Sequence, residues 1–182
     1  MTKGSSNRPE QLLLEYLKQI GFSGDEELSK THTRVTEFLA SYAPKRTSPA
    51  LSLVPTHSSD PIIVRELKYY SLCAHHLLPF FGEATIAILP NGAIAGLGGI
   101  PKAVRHFAEQ PQIQERLSSQ IAEFLLEQLN ANAVVVKLSA TQLCMEMRGS
   151  RASGEILTIA SRGSQQGISR LETLLSKGVS QE

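Results

Sequence analysis

The chain has 182 residues and a formal net charge of +1, and 41% of its residues are hydrophobic and 19% charged. This length suits one domain with a sizeable core, and the composition excludes wholesale disorder. Since no Lys/Arg block marks a nucleic-acid or membrane-surface binder, we expect neither partner. The polar segment 1–8 and the lack of an apolar run of about 20 residues predict a cytoplasmic protein without signal peptide or membrane span.

Two amphipathic helices are predicted near the N-terminus. Apolar residues recur at helical spacing over residues 9–20, before Gly21, and over residues 31–42, before Pro44. Residues 43–60 are rich in Ser, Pro and Thr, so we expect a long loop there.

The next segments alternate as strands do. Residues 61–70 have the period of a half-buried strand. Residues 83–89 and 93–97 flank Pro90-Asn91-Gly92, which predicts a hairpin with an Asn-Gly turn. Helical spacing from residue 112 to 129 predicts the longest helix of the chain.

The C-terminal part completes the pattern. Residues 134–140 and 155–161 indicate strands, and residues 168–175 a short helix. Because strands and helices occur in blocks, without regular βαβ alternation, the sequence favours an α+β domain with an antiparallel sheet.

The two cysteines carry the first chemical signal. Cys73 and His76 stand three residues apart, a spacing that lets one turn direct both side chains at one ion. Such a pair is a weak signal by itself, because free cysteines are often simply buried. Cys144 is the other cysteine, and a cytosolic chain of this size more often keeps cysteines for metal binding or catalysis than for a disulfide.

A catalytic zinc site keeps three protein ligands and leaves one position for water, whereas a structural site takes four. With two cysteines in the chain, the three-ligand interpretation fits best. His75 stands beside a candidate ligand and is placed for general acid or base work. The alternative for His75 is that it only orients the metal site.

Residues 70–80, Tyr-Ser-Leu-Cys-Ala-His-His-Leu-Leu-Pro-Phe, resemble the zinc segment of the GTP cyclohydrolase I family, in which an acidic residue usually fills the position of Ala74. The Pro90-Asn91-Gly92 turn, Gly96-Leu97, residues 112–117 and residues 144–149 also match, in the family's order. The resemblance covers roughly residues 61–162 and, more loosely, the two N-terminal helices.

The resemblance implies a tunnelling fold, in which an antiparallel sheet carries two long helices. It divides the chain into N-terminal helices with a long loop, residues 1–60, and a catalytic domain, residues 61–182. It also implies a homo-oligomer, a decamer in the family, with active sites between subunits.

The implied reaction is the zinc-dependent hydrolysis of GTP. Water activated by zinc attacks C8 of the guanine, the imidazole ring opens, formate leaves, and dihydroneopterin triphosphate forms for pterin- and folate-type biosynthesis. By position, Cys73, His76 and Cys144 match the family's zinc ligands. His75 matches the histidine that moves protons at the purine ring.

The resemblance also implies substrate contacts. Glu115, with Gln114 beside it, matches the carboxylate that holds the guanine edge, where one carboxylate can accept two parallel hydrogen bonds. Arg148 matches a phosphate-binding arginine, and Lys102 replaces another arginine. Without the family match, we would interpret Glu115 as part of a solvated helix face and Arg148 as a member of a surface ion pair.

Several family positions differ. Gly98 and Gly99 stand where the family has the Ser and Lys that contact the triphosphate, and Glu37 aligns with a family lysine. Gln142 occupies the position of a catalytic histidine, and glutamine cannot move a proton near neutral pH. These changes put triphosphate binding and the later reaction steps in question.

The sequence leaves several functional interpretations open. The leading one is a specialised zinc hydrolase that acts on a guanine compound with fewer phosphates or stops at an early ring-opened product. Alternatively, other basic residues rebuild the phosphate site and another histidine approaches the zinc. A non-catalytic purine- or pterin-binding paralogue and a cysteine-based reductase of the same fold are the remaining candidates.

Overall fold

The computed structural model describes residues 8–22, 26–44 and 47–177. The chain forms two compact units, Met1–Ala43 and Pro44–Glu182. In the first unit, α1 (Arg8–Gln19) and α2 (Thr31–Ser41) contact each other, which confirms both predicted helices. None of the helices described is both long and apolar enough to cross a membrane.

The second unit contains the sheet and the remaining helices. In chain order its elements are β1 (Leu53–Pro55), β2 (Ile62–Cys73), β3 (Pro79–Leu89), β4 (Ala93–Ala95), α3 (Gly99–Ala108), β5 (Pro111–Gln112), α4 (Gln114–Leu129), β6 (Ala133–Gln142), α5 (Leu143–Glu146), β7 (Glu155–Gly163) and α6 (Gln165–Lys177).

The main sheet has the strand order β5-β2-β3-β6-β7. Its four long strands are antiparallel neighbours, and only the two-residue β5 at the edge runs parallel to its partner, β2. The α+β class with an antiparallel sheet is therefore confirmed. The short strand β1 lies in the segment predicted to be a loop and pairs with β4 in a separate ribbon.

The predicted hairpin across Pro90-Asn91-Gly92 is wrong. β3 already pairs with β2 on one edge and β6 on the other, so β4 cannot add to it and pairs with β1 instead. Gly92 does adopt a positive φ of 84°, and its carbonyl accepts a hydrogen bond from the Thr56 N–H. The glycine therefore makes the turn, but the turn joins two sheets.

The core lies between one face of the main sheet and the helices α3 and α4. Alternate residues of the central strands, such as Ile86 and Val136, pack there against helix residues such as Leu117 and Leu125. On the opposite face, α6 places Leu171 against the far end of the sheet. Within this unit, no described helix covers the near end of that second face, where β2 ends at the predicted metal ligand Cys73.

Helix α3 was not anticipated from the sequence, because Gly98 and Gly99 at its start suggested the end of a strand. Its buried residues Ala103, Val104 and Ala108 nevertheless follow helical spacing. The assignment of residues 61–182 as the catalytic domain stays a prediction, since contacts within the chain do not test catalysis.

Candidate metal and purine site

The segment Cys73 to Leu78 is the turn that joins β2 to β3. The Cys73 N–H donates to the Leu78 carbonyl at 2.8 Å, and the Cys73 carbonyl accepts from the N–H groups of His76 and Leu77 at 3.3 and 2.8 Å. The turn is therefore one tight loop closed at both ends. Cys73 begins this loop and His76 lies within it, so both side chains lie at the same end of the sheet.

Leu77 gives this loop its shape at a conformational cost. Its φ is +54°, in the left-handed region that leucine seldom adopts. A left-handed residue just before the loop closes lets the chain re-enter β3 at Pro79. This conformation could not be predicted from the sequence, because glycine or asparagine is the usual residue at such a position.

Cys144 reaches the same place from the other side of β3. Gln142, the last residue of β6, is the ladder partner of Phe80, the second residue of β3. The chain then turns into the short helix α5, and Cys144 lies two residues beyond Gln142. Residues about 70 positions apart in the sequence therefore meet beside the β2–β3 loop.

The three predicted ligands come together. Cys73, His76 and Cys144 each offer one ligand atom, and these atoms all lie within 4.8 Å of one another. Both cysteines are free thiols. Cys73 is buried, Cys144 is half-buried and His76 is exposed, so the cluster opens to solvent on the side of the histidine.

His75 lies at the rim of this cluster. Its Nδ1 is 3.8 Å from the Cys73 Sγ, the same distance as the Nδ1 of His76. The two imidazole rings stand edge to face with centroids 6.1 Å apart. His75 is thus close enough to act on a group bound at the cluster while its ring stays exposed.

The surroundings favour neutral imidazole and protonated thiol in the metal-free cluster. Desolvation, the charge of Arg148 and the neighbouring His75 lower the pKa of His76. Burial and then the hydrogen bond with Cys73 raise the pKa of Cys144, while Arg148 opposes this shift. Arg148 itself is exposed, and its charge acts on both groups.

The short strand β5 brings the start of α4 to the cluster. Gln112 pairs with Cys73 in the parallel ladder, and its carbonyl accepts the Ala74 N–H at 2.8 Å. Glu115 lies in the first turn of α4 and is exposed, whereas Gln114 is buried. A carboxylate in the first helical turn is stabilised by the helix dipole.

The remaining predicted residues are less closely tied to the cluster. Lys102 lies on the exposed side of α3, and its ammonium group makes no hydrogen bond or ion pair with any residue the structure describes. Gly98 caps α3, and a Cβ added there would meet nothing within 4 Å. At Gly99 a Cβ would approach the Leu51 Cδ2 to 3.2 Å.

Gln112 is a residue of the site that the sequence did not single out. Its side chain is 1% exposed, donates to the Phe107 carbonyl and to Gln120, and accepts from the Arg116 Nε at 2.6 Å. It thereby fixes the junction between α3 and α4 next to Cys73. The only signal in the sequence was a polar residue just before a long helix.

The geometry therefore defines an α+β protein with an open cluster of Cys and His donors, a class that includes metal-dependent hydrolases. The family model of GTP cyclohydrolase I matches residues 10–177. The chain belongs to the GTP cyclohydrolase I family, and its α+β architecture is the tunnelling fold expected for that family.

Curated relatives agree with this assignment. The chain is 43% identical over 144 residues to GTP cyclohydrolase 1 of Campylobacter jejuni strain RM1221, covering 76% of each chain. It is 38% identical over 158 residues to GTP cyclohydrolase 1 of Sulfurihydrogenibium sp. strain YO3AOP1, covering 86% of this chain and 84% of that protein. The protein is thus a GTP cyclohydrolase I-like enzyme.

Solved structures give weaker likenesses. An archaeosine synthase QueF-Like in the apo form is 19% identical with a TM-score of 0.43, covering 65% of this chain and 98% of that chain. A putative dihydroneopterin aldolase from Vibrio cholerae is 12% identical with a TM-score of 0.45, covering 59% of this chain and 99% of that chain.

Proposed function

We propose that this enzyme opens the imidazole ring of a guanine nucleotide by hydrolysis at C8, using a zinc ion held by Cys73, His76 and Cys144. The proposal rests on the meeting of these three ligand atoms within 4.8 Å. Zinc binds Cys sulfur at about 2.3 Å and His nitrogen at about 2.0 Å, so ligands of one tetrahedral ion lie about 3.5–3.8 Å apart. The 3.8 Å between the Cys73 Sγ and the His76 Nδ1 fits this requirement.

When bound, zinc would activate water for attack at neutral pH. Three protein ligands leave one position for that water, and the exposed side of the cluster gives it access. The lowered pKa of His76 supports its role as a ligand, because only neutral imidazole binds a metal.

His75 is the proposed proton carrier. Its exposed ring beside Cys73 can take a proton from the attacking water or give one to a purine nitrogen. An imidazole suits this task because its ordinary pKa lies near neutrality. Gln142 has no such capacity, so we propose that the later steps are slow and that a ring-opened product accumulates.

Glu115 is the proposed guanine contact. Its two carboxylate oxygens can accept parallel hydrogen bonds from the N1–H and N2–H groups of guanine. Support comes from the pairing of Gln112 with Cys73, which places the first turn of α4 next to the cluster. The family resemblance matches Gln114 to the substrate site together with Glu115, but the Gln114 side chain is turned into the protein, so we assign it a supporting role.

The phosphate end differs from that of the family. Arg148 is the proposed phosphate contact, since its charge already acts on His76 and Cys144, and Lys102 is a second candidate. Gly98 and Gly99 offer no side chain. We therefore propose a substrate with fewer phosphates than GTP.

We also propose that the enzyme is a homo-oligomer. Tyr70, Leu157 and Ile159 are 63%, 50% and 58% exposed on the sheet face that α6 covers only at its far end. Apolar side chains grouped on one sheet face favour burial against another surface. Sedimentation of the purified protein, with a monomer as the contrary result, tests this assembly.

The reaction itself is tested with purified, zinc-loaded protein and a panel of GTP, GMP, guanosine and guanine. Loss of purine absorbance from at least one compound is the expected result, with formate released more slowly than the ring opens. Ser150→Ala, a change in an exposed part of the β6–β7 connection, serves as control for His75→Ala, which should abolish both signals. Binding without loss of purine absorbance from any compound would contradict the proposed hydrolysis.

A further inference from the structure

A pair of glutamine side chains connects the start of α4 to the donor cluster. The Gln142 Nε2 donates to the Gln114 Oε1 at 2.7 Å. The Gln142 Oε1 lies 3.9 Å from the Cys144 Sγ and accepts its weak hydrogen bond. Gln114 is 2% exposed, so its contact with Gln142 is shielded from water.

The backbone determines how both amides are oriented. The Gln114 Nε2 donates to the carbonyls of Leu138 on β6 and Ile156 on β7, at 3.1 and 2.8 Å. Carbonyl oxygens only accept, so the NH₂ group of Gln114 must face them and its oxygen must face Gln142. That oxygen in turn requires the NH₂ group of Gln142, which leaves the Gln142 carbonyl directed at Cys144.

This order of donors and acceptors leaves no equivalent alternative. Reversing the Gln142 amide would set two oxygens 2.7 Å apart, and reversing Gln114 would direct its side-chain oxygen at the carbonyl oxygens of Leu138 and Ile156. A buried polar network that is fully satisfied is rigid. The side chain of Gln142 is therefore held in one orientation at the place where the chain turns from β6 into α5.

We infer that Gln142 is a positioning residue: its hydrogen bond to the buried Gln114 holds the turn from β6 into α5 against the start of α4, and this turn determines where the Cys144 Sγ lies relative to Cys73 and His76. This inference rests on the proposed zinc site, although it does not require the proposed reaction. Residues that orient metal ligands commonly change metal affinity by about 10- to 100-fold when they are replaced. Gln142 thus acts through Cys144 rather than on the substrate.

The test replaces Gln142 by methionine, which keeps the length of the side chain and removes both hydrogen bonds. Gln128→Met is the matched control, since Gln128 is exposed on α4. Zinc retention is measured against a chromophoric chelator, and cobalt is substituted for zinc to record the sulfur-to-cobalt absorption band. We expect Gln142→Met to weaken zinc retention about 10- to 100-fold and to alter the cobalt band, and Gln128→Met to do neither.

The outcomes separate this inference from the proposed reaction. Equal zinc retention and an identical cobalt band in wild type and Gln142→Met would overturn the inference, even if the melting temperature fell. Zinc retention that depends on Gln142 in a protein that opens the purine ring of no compound in the panel would support the inference and refute the reaction. A wild-type chain that retains no zinc would overturn both.

Discussion

Cys73, the last residue of β2, pairs in parallel with Gln112, the last residue of β5, and the Gln112 carbonyl accepts the N–H of the following residue, Ala74. This short parallel ladder joins the loop that carries two proposed zinc ligands to the start of α4, which carries Glu115. The proposed metal and guanine contacts are thus held by backbone hydrogen bonds within one subunit.

Replacing Glu115 by glutamine removes the charge and one of the two acceptors that guanine would need. Losing such a charge-assisted pair costs about 1.5–3 kcal/mol, so we expect kcat/KM to fall by about 10- to 100-fold. Glu127→Gln, an exposed change on the same helix, should leave the rate unchanged. The steady-state loss of purine absorbance measures both variants, and equal rates for the two would refute the guanine contact.

Replacing Cys144 by serine should remove zinc but leave the fold in place. Cys144 is half-buried, and serine is close to it in size, so the metal-free protein should keep its melting temperature within a few degrees. Added zinc should raise the melting temperature of wild type, because it binds only the folded state, and should not raise that of Cys144→Ser. Met147→Leu is the control in the same connection, and a zinc response in Cys144→Ser would contradict the assignment.

Leu77 allows the loop strain to be measured. Glycine adopts the left-handed conformation freely, whereas alanine shares the restriction of leucine, so Leu77→Gly should be more stable than Leu77→Ala by about 1 kcal/mol. Urea unfolding of the two variants gives this difference directly, since both lack the leucine side chain. Equal urea midpoints for Leu77→Gly and Leu77→Ala would mean that the loop relaxes and that its conformation is not fixed by β2 and β3.

Local sequence signals were sufficient for most helices and for two of the three proposed metal ligands, whereas Cys144 was proposed from the family resemblance. Helical spacing predicted α1, α2, α4 and α6 to within three residues at each end. The Cys-x-x-His spacing indicated that Cys73 and His76 can face one ion, and the antiparallel ladder then brings in Cys144. These features depend on short-range periodicity, which a single sequence contains.

Contacts between residues far apart in the sequence could not be predicted in the same way. Nothing near Pro90-Asn91-Gly92 shows that both edges of β3 are already taken, so a hairpin was expected where the chain changes sheet. Gln114 and Gln142 are 28 residues apart, and their hydrogen bond exists only because β6 ends beside the start of α4. The same holds for the burial of Gln114, which resemblance alone assigned to the substrate.

Gly82 should be among the least replaceable residues of the sheet. A Cβ at this position would lie 1.9 Å from the backbone oxygen of Ser139 on the neighbouring strand, and backbone cannot move aside as a flexible side chain can. We expect Gly82→Ala to lower the free energy of unfolding by about 2–3 kcal/mol. Urea unfolding tests this against Gly98→Ser, where added atoms meet open space, and a loss below about 0.5 kcal/mol in Gly82→Ala would show that β3 and β6 separate easily.

The two glycines at the start of α3 allow a direct test of why the substrate should carry fewer phosphates. If the missing Ser and Lys side chains limit triphosphate binding, restoring them should raise kcat/KM for GTP relative to GMP. Gly98→Ser fits without contact, whereas Gly99→Lys requires the Leu51 side chain to shift by a few tenths of an ångström, so the double variant remains feasible. One charge-assisted contact to a phosphate is worth about 1.5–3 kcal/mol, which predicts a change of about tenfold or more in the GTP-to-GMP ratio.

Ser169→Lys on α6 adds the same charge at an exposed position far along the chain and controls for general attraction of anions. The expected result is a higher ratio in Gly98→Ser/Gly99→Lys alone. A GTP-to-GMP ratio that rises equally in Gly98→Ser/Gly99→Lys and in Ser169→Lys would show only long-range attraction of the anion. A ratio unchanged in the double variant, with wild type already preferring GTP, would mean that Arg148, Lys102 or other cations bind the triphosphate without the two family residues, and the proposal of a substrate with fewer phosphates would fail.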